Sequence, residues 1–346
     1  MAKKKQHKFA EADSLGQGLS IELGGSDANQ DVRDWLDTGI KPLNYALSGK
    51  YSGGIPVGRL VEFFGGESSG KTALATQALI STQQKGGVAV FFDHEHAFSL
   101  ARAKHLGLSD AEDCWIYKQP QTAEQSFKMV DTVVDYIQHQ DSDRYVTIVI
   151  DSVAAMVTKA ELEIDYDEQN MKTMLSLPAL LSASLKKLSR KVNQGNITLL
   201  LINQTRDNPG VMFGSKEKTT GGKALKFFCS VRLKLSKTGP IKEGDEIIGD
   251  YVRAETIKNK TFEPFKTCTY ISSYSKGIDM AGSHLHYALE NGWITKKGGW
   301  LEWDEQSWRE KDLVKSLDES PEWYQRLMDM YDDSAEADEN GEVVGE

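Results

Sequence analysis

Short apolar runs alternate with amphipathic stretches between about residues 58 and 205 of the chain. Each run has the length of a buried strand and is bounded by glycine or polar residues. Strands that alternate with helices are joined by crossover connections, so they pair as a parallel sheet. The apolar runs are 60–64, 88–92, 146–150 and 198–202.

The amphipathic stretches carry the start and stop signals of helices. The first predicted helix runs over 70–84, after a glycine-rich turn. Thr122 and Gln125 have the spacing of a capping box and open a second helix, which runs to about residue 140. Pro178 suits the first turn of a third helix, and Gly195 ends it. The pattern therefore predicts an α/β fold in which helices pack on a mostly parallel sheet.

Beyond residue 225 the period of the pattern changes to two. Apolar and polar residues alternate from Val231 to Leu235, and similar runs follow at 251–258 and 267–274. This alternation is typical of antiparallel strands with one buried face, which would extend the sheet. After Gly277 the chain is rich in tryptophan, and we expect a small C-terminal domain of helices and strands.

Composition limits the class of protein. The 346 residues are 39% hydrophobic and 27% charged, which is ordinary for a globular protein of about two domains. No apolar run approaches the ~20 residues that span a bilayer, and the basic start has no apolar stretch of a secretory signal behind it. The three cysteines are odd in number and far apart, which disfavours a disulfide scaffold or a zinc site. We expect a soluble, cytoplasmic protein with no membrane partner.

Charge is unevenly distributed along the chain. The net charge is −10, but the last basic residue is Arg326, and eight acidic residues follow it. Such an end is typical of a solubilising tail. Alternatively, the tail competes with an anionic ligand for basic surfaces of the body. Between Arg206 and Lys226 five basic residues outnumber two acidic ones, so an acidic protein contains a locally basic segment.

The segment between the first predicted strand and the first predicted helix has the GxxxxGK[ST] pattern of a phosphate loop. Its glycines let backbone N–H groups turn toward phosphate oxygens, and the helix N-terminus adds partial positive charge. Lys71 would reach the β- and γ-phosphates, and Thr72 would bind Mg²⁺. The predicted nucleotide-binding residues here are Gly65, Gly66, Glu67, Ser68, Ser69, Gly70, Lys71 and Thr72.

Two carboxylates follow the ends of predicted strands. Asp151 comes directly after the run 146–150, where it can hold Mg²⁺ together with Thr72, although an aspartate in this position can also cap a helix. Glu95 follows the run 88–92, at the sheet edge where ligands of open α/β sheets bind. A carboxylate there can orient and deprotonate an attacking water, or it can be a solvated loop acid.

Several blocks together resemble the RecA family of bacterial and phage recombinases over about residues 36–274. Many P-loop ATPases share the phosphate loop, whereas few carry the stretch from Val211 to Gly222 or the block from Lys258 to Lys260. The resemblance implies a RecA-like P-loop ATPase core with ATP and Mg²⁺ as cofactors. The matching blocks are 53–59, 65–72, 92–96, 149–155, 202–204, 211–214, 219–222, 224–227 and 258–260.

The resemblance implies roles for residues around the ATP. Glu95 would activate water, and Gln204 would sense the γ-phosphate and pass its presence to the loop that follows. Lys258 and Lys260 would reach the ATP of a neighbouring protomer, so the complete catalytic site would form only in a helical filament.

Near the nucleotide base the sequence departs from the family pattern. Tyr274 would lie close to the base. Arg102 stands where the family often has an aromatic residue, and its guanidinium can stack on the base instead.

The resemblance also implies two loops, at about 159–176 and 205–225, that line the filament axis and hold single-stranded DNA. Basic side chains can neutralise phosphates, glycines admit a close phosphate, and apolar residues can separate bases. The first loop is acidic and lacks glycine. A basic face on the third predicted helix is either a DNA contact or a solvated face. The predicted DNA-binding residues are Met171, Met174, Ser182, Lys186, Arg206, Val211, Met212, Phe213, Thr220, Gly221, Gly222 and Lys223.

The resemblance implies four regions: an oligomerisation arm (1–40), the ATPase core with its DNA-binding loops (41–277), a C-terminal domain associated with capture of double-stranded DNA (278–328) and an acidic disordered tail (329–346). The predicted function is ATP-dependent homologous recombination and DNA repair, by filaments on single-stranded DNA that exchange strands with a homologous duplex. Two alternatives remain open, a ring-shaped helicase motor and a nucleotide-gated DNA-binding protein without turnover.

Overall fold

The computed structural model describes residues 32–140, 143–164, 175–207 and 217–340, except for the side chains of 207, 217 and 335–340. Within these ranges the strands are β1 (Trp35–Leu36), β2 (Ile55–Pro56), β3 (Leu60–Gly65), β4 (Val88–Asp93), β5 (Trp115–Lys118), β6 (Val146–Asp151), β7 (Ile197–Asp207), β8 (Glu217–Thr219), β9 (Val231–Glu243), β10 (Glu246–Asn259), β11 (Thr267–Ser273), β12 (Gly277–Asp279), β13 (Thr295–Lys297), β14 (Trp300–Trp303) and β15 (Gln306–Trp308).

Three helices of the same ranges, Lys71–Gln84, Ala123–Gln140 and Ser176–Val192, begin and end close to the predicted signals. A short 3₁₀ turn, Val153–Ala155, follows β6. The α-helices are α1 (Lys41–Ser48), α2 (Lys71–Gln84), α3 (Leu100–His105), α4 (Ala123–Gln140), α5 (Lys159–Leu162), α6 (Ser176–Val192), α7 (Ala224–Phe228), α8 (Met280–Glu290), α9 (Glu310–Glu319) and α10 (Pro321–Asn340).

One large mixed sheet carries the fold. Its strand order is β12-β11-β10-β9-β3-β7-β6-β4-β5, and β8 pairs with β7. The strands from β9 to β5 in this order run parallel, whereas β9 through β12 pair antiparallel. The predicted α/β fold, with a mostly parallel sheet extended by antiparallel strands, is therefore confirmed.

Apolar helix faces cover both sides of this sheet. On one side α1 and α2 pack over Val61, Phe63 and Ile202 in a common core. On the other side α4 and α6 pack over Leu199 and Leu201 in a second core. Because the parallel strands are buried on both faces, their sequences read as continuous apolar runs rather than as alternating ones.

The helix α4 begins with half of the predicted capping box. The N–H of Gln125 donates to Oγ1 of Thr122 at 3.2 Å. The amide oxygen of Gln125 accepts from the N–H of Gln121 at 2.9 Å instead of from that of Thr122. The side chain therefore reaches one residue further back than the motif predicts.

The region after β12 has its own core. Strands β13, β14 and β15 form an antiparallel sheet, and α8, α9 and α10 pack around Leu285, Leu313 and Tyr331. The helix α10 continues to Asn340, whereas the sequence predicted a disordered tail from 329. None of the helices in the described ranges is long and apolar enough to cross a membrane.

Candidate nucleotide site and DNA-facing elements

The phosphate loop connects the end of β3 to the start of α2. Gly70 adopts a left-handed conformation, with φ of +83°, directly before the first residue of α2. Residues with a side chain rarely take up this conformation, so glycine is required where the loop turns into the helix. The first N–H groups of α2, which have no partner within the helix, can bind an anion.

The ammonium group of Lys71 lies over this loop. Its Nζ donates to the carbonyl oxygen of Gly66 at 2.6 Å and to that of Gly65 at 3.3 Å. Burial lowers the pKa of Lys71, while the carboxylates of Asp151, Glu95 and Glu67 act in the opposite direction. A cation that is poorly hydrated and surrounded by phosphate-binding backbone is suited to pair with a polyphosphate.

Thr72 and Asp151 form an oxygen pair beside Lys71. Oγ1 of Thr72 donates to Oδ2 of Asp151 at 2.6 Å. The pKa of Asp151 is raised to about 6, chiefly by burial and also by the charges of Glu95 and Asp93, while the Thr72 hydrogen bond and the charge of Lys71 act in the opposite direction. A hydroxyl and a buried carboxylate make a hard oxygen donor set, which fits Mg²⁺. A divalent cation would also favour the ionised carboxylate.

Glu95 and Gln204 are joined by a hydrogen bond. Nε2 of Gln204 donates to Oε1 of Glu95 at 2.8 Å. Both line a cavity of about 610 Å³ together with Lys71, Thr72 and Asp151. The structure thus brings the predicted base, the predicted γ-phosphate sensor and the predicted magnesium ligands into one site.

Asp93, which was not predicted from the sequence, fixes the loop that carries Glu95. Its carboxylate accepts from the N–H of Glu95 at 3.0 Å and from that of Phe98 at 3.1 Å. The hydroxyl of Tyr117 donates to it at 2.9 Å. Asp93 ends β4 as Asp151 ends β6, so the rule that found Asp151 could have found it.

Two residues that were predicted near the nucleotide base, Arg102 and Tyr274, are in contact. Nη2 of Arg102 donates to the carbonyl oxygen of Tyr274 at 3.2 Å, and both residues line the cavity. The Tyr274 hydroxyl donates to Asp250 at 2.9 Å, and Asp250 forms a 2.7 Å ion pair with Lys237. Lys237 also lines the cavity and was not predicted, because the alternating pattern of β9 gives it no distinguishing signal.

Lys258 and Lys260 do not line this cavity. Nζ of Lys258 donates to the carbonyl oxygens of Lys226 and Phe227, at 2.7 and 3.0 Å. These carbonyls lie at the C-terminus of α7, where a cation is favourable. Burial, followed by the charge of Lys260, lowers the pKa of Lys258. Lys260 itself is exposed.

The described part of the second predicted DNA loop is its stem. Arg206 and Lys223 are exposed. Gly221 has φ of +90°, and a Cβ there would lie 2.6 Å from Cδ1 of Leu181, so a larger residue does not fit. Thr220 and Gly222 flank it in the same turn. Outside the described residues lie Met171, Met174, Val211, Met212 and Phe213.

The lysines on the basic face of α6 differ in whether they form ion pairs. Lys187 and Lys191 form ion pairs with Asp131, both at 2.6 Å, and Lys191 forms another with Asp135 at 2.5 Å. Ser182 and Lys186 are exposed. In the described part of the chain, Lys186 has no ion-pair partner. Lys186 is therefore more available to a phosphate than its neighbour Lys187.

Comparisons with known proteins agree with this geometry. A family profile described as "RecA N-terminal domain" matches residues 7–279. The chain belongs to the RecA family. It is 40% identical to Protein RecA of Chlorobaculum tepidum over 305 residues, covering 88% of this chain and 84% of that protein. It is similarly 40% identical to Protein RecA of Chloroherpeton thalassium, covering 88% and 81%. Protein RecA of Nitrobacter winogradskyi is 39% identical, covering 84% and 76%.

Membership of the RecA family confirms the resemblance that the sequence blocks indicated. It places the chain among the recombination and repair proteins built on a P-loop nucleotide-binding core. The family match extends through β12 and includes the residues of the cavity described above.

Proposed function

We propose that this protein is an ATP-dependent recombinase that forms a helical filament on single-stranded DNA, pairs it with a homologous duplex and exchanges strands. The hydrogen bond from Gln204 to Glu95 carries this proposal. Gln204 belongs to β7, the strand that leads into the second loop, so one bond connects the nucleotide cavity with the chain segment that would hold DNA.

The proposed reaction is hydrolysis of ATP to ADP and phosphate. Glu95 would accept a proton from the attacking water. As the water oxygen bonds to the γ-phosphorus, the bond between the γ-phosphorus and the β,γ-bridging oxygen breaks. Lys71 would neutralise charge on the transferred group. Mg²⁺, when bound by Thr72 and Asp151, supplies further positive charge to the phosphates.

The proposed DNA site consists of the two loops together with the exposed cations beside them. Arg206, Lys186 and Lys223 would contact phosphates without reading sequence. The glycines after Thr220 would let the protein backbone approach the DNA strand closely. Lys258 and Lys260 lie away from the cavity of their own chain, which supports their proposed contact with the ATP of a neighbouring protomer.

The regions 1–40 and 278–328 would serve this filament as the arm that docks on the adjacent subunit and as a domain that captures duplex DNA. The acidic residues after Arg326 would weaken association with duplex through their negative charge.

Two measurements test the proposal together. Electron microscopy with single-stranded DNA and a non-hydrolysable ATP analogue should show helical filaments, and ATP hydrolysis should rise when single-stranded DNA is added. The variant Lys71→Ala, which should not bind ATP, is the matched negative control. Closed rings on DNA would favour the helicase alternative, and filaments without turnover would favour a nucleotide-gated binding protein.

A further inference from the structure

Glu62 and Arg232 form an ion pair inside the central sheet. They lie directly opposite each other on the parallel strands β3 and β9, and their side chains are 0% and 7% exposed. Nε of Arg232 donates to Oε2 of Glu62. Desolvation of two charges offsets most of their attraction, so such a pair is poor evidence of stabilisation. A contribution to stability therefore does not explain why an ion pair is buried at this place in the sheet.

The pair contacts the residue that precedes the phosphate loop. The guanidinium of Arg232 covers the ring of Phe64, 4.5 Å from the ring centroid. Phe64 directly precedes Gly65, the first residue of that loop. The planar guanidinium thus has one edge on a carboxylate and one face on an aromatic ring, a combination that fixes its orientation.

Asn203 is the third member of this group and is completely buried. Its Nδ2 donates to Oε1 of Glu62 at 3.0 Å and to the carbonyl oxygen of Thr220 at 2.9 Å. Its Oδ1 accepts from the N–H of Gln204 at 2.9 Å. Both N–H donors and the oxygen of the amide are in use, so the side chain has one orientation that satisfies all of its groups.

The hydrogen bonds of Asn203 lead to the two proposed functional sites, the nucleotide cavity and the second DNA loop. Gln204 is hydrogen-bonded to Glu95 in the nucleotide cavity. Thr220 lies where the chain returns from the second loop, immediately before the tight turn at Gly221. One buried amide therefore holds the backbone next to the proposed sensor and the stem of the proposed DNA loop at the same time.

We propose that Asn203 is a positioning residue that couples the nucleotide cavity to the second DNA loop, and that the Glu62–Arg232 ion pair holds it in place. The inference rests on the proposed function. A displacement of the Gln204 backbone would move the Asn203 amide, and the amide cannot move without displacing or breaking its bond to Thr220. Glu62 resists rotation of the amide because its other oxygen is held by Arg232.

The test uses the full chain and Asn203→Leu, which keeps the branched shape of the side chain and makes none of the three hydrogen bonds. We would measure ATP hydrolysis with and without oligo(dT), and the dissociation constant for oligo(dT) with and without a non-hydrolysable ATP analogue. We expect the stimulation by DNA, and the gain in DNA affinity from nucleotide, each to fall by about tenfold or more. A role in folding alone would lower the melting temperature without changing these ratios.

Thr147→Val is the matched control. Thr147 is also buried in the sheet, and its hydroxyl is hydrogen-bonded to that of Thr82 at 2.5 Å. The control variant should lose stability and keep both ratios. If Asn203→Leu does not fold, the double variant Glu62→Leu/Arg232→Met replaces it, because it removes the holding pair without leaving an unpaired charge. That variant should also lose the stimulation.

The outcomes separate the inference from the proposed function. Stimulation retained in a folded Asn203→Leu or in the folded double variant would overturn the inference and leave the recombinase proposal standing. Absence of stimulation in the unsubstituted chain would overturn the proposed function, and with it the inference.

Discussion

Gln204 lies on β7 and Glu95 on the loop that follows β4, and these two strands are not neighbours, yet Nε2 of Gln204 lies 2.8 Å from Oε1 of Glu95. Strand β6 separates β7 from β4, so the two side chains meet over the end of β6, where Asp151 lies. A carboxylate that accepts from an amide keeps its other oxygen for a further donor, and a water molecule is suited to that place.

We expect Glu95→Gln to bind ATP and DNA but to hydrolyse ATP about 10²–10⁴ times more slowly, since an amide cannot accept the proton. Phosphate release in the presence of single-stranded DNA measures the rate, and a fluorescent ATP analogue measures binding. Glu112→Gln is the control, because Glu112 is exposed and is not part of the cavity lining, and the substitution removes the same charge. Hydrolysis at the parental rate by Glu95→Gln would show that another group is the base.

Tyr117→Phe should slow hydrolysis without removing ATP binding. The substitution deletes one of the hydrogen bonds on Asp93 and leaves the bonds to the N–H groups of Glu95 and Phe98. We expect a loss of stability of about 1 kcal/mol and a lower kcat, because the loop that carries Glu95 is held less firmly. Asp93→Ala removes all of these contacts and should have the larger effect on kcat. Equal rates in the two variants would contradict the positioning of Glu95 by Asp93.

Lys186→Ala and Lys187→Ala should differ in their effect on DNA binding although they are adjacent. The charge of Lys187 is paired with Asp131, whereas Lys186 has no ion-pair partner among the described residues. We expect Lys186→Ala to reduce the salt dependence of single-stranded DNA binding by about 0.7 in the slope of log K against log salt. The slope for Lys187→Ala should not change. Fluorescence anisotropy over a salt series measures both, and equal slopes would place the DNA away from α6.

Stability should fall as the pH falls below about 6.5, in part because of His284. Nε2 of His284 accepts from the N–H of Lys41 at 3.0 Å, so the neutral ring carries its proton on Nδ1, which faces the Tyr324 hydroxyl. Burial, followed by the charge of Lys41, lowers the pKa of His284 to about 3. The unfolded chain binds the proton at higher pH than the folded chain, so stability is fully present above pH ~6.5 and decreases toward pH ~3.

Thermal unfolding at several pH values checks this prediction. His284→Gln can still accept from Lys41 and should show a shallower pH dependence than the unsubstituted chain. His105 is exposed on α3, so His105→Gln should keep the original dependence. Part of the slope should remain in His284→Gln, because burial also lowers the pKa of His94, to about 4. Identical slopes in both variants would exclude His284 as a source.

Removal of residues 335–346 should strengthen binding to double-stranded DNA at low salt, since it deletes five acidic residues and no basic one. The cut is placed after Ser334 because Tyr331 is fully buried, with its hydroxyl donating to the carbonyl oxygen of His284 at 2.9 Å. Affinity would be measured with a duplex oligonucleotide at low and high salt. An unchanged affinity at low salt would leave the tail as a solubilising segment.

The features that the sequence predicted well are local ones. The phosphate loop needs glycines at fixed spacing between a strand and a helix, and the strands β3, β4, β6 and β7 are buried on both faces, so each leaves a continuous signal in a few residues. The positions of Asp151 and Glu95 followed from the rule that ligands gather at the carboxyl edge of such a sheet.

The features that it missed depend on partners far away in the chain. Asn203 bonds to Glu62, 141 residues earlier, and to Thr220, 17 residues later. The pairing of Lys187 with Asp131 joins two helices whose relative rotation no local pattern reveals. The acidic end from residue 329 was predicted to be disordered from its charge, whereas Tyr331 of α10 is fully buried.

Tyr51, in the segment before β2, packs against two aromatic rings. Its ring centroid lies 5.2 Å from that of Tyr331 and 6.5 Å from that of Tyr287. These aromatic contacts cross the border predicted near residue 277. A recombinant fragment ending at that border would leave Tyr51 and its neighbours uncovered in water, and poor solubility would follow. The helices beyond β12 thus bury apolar residues near the start of the core and do not form an independent domain.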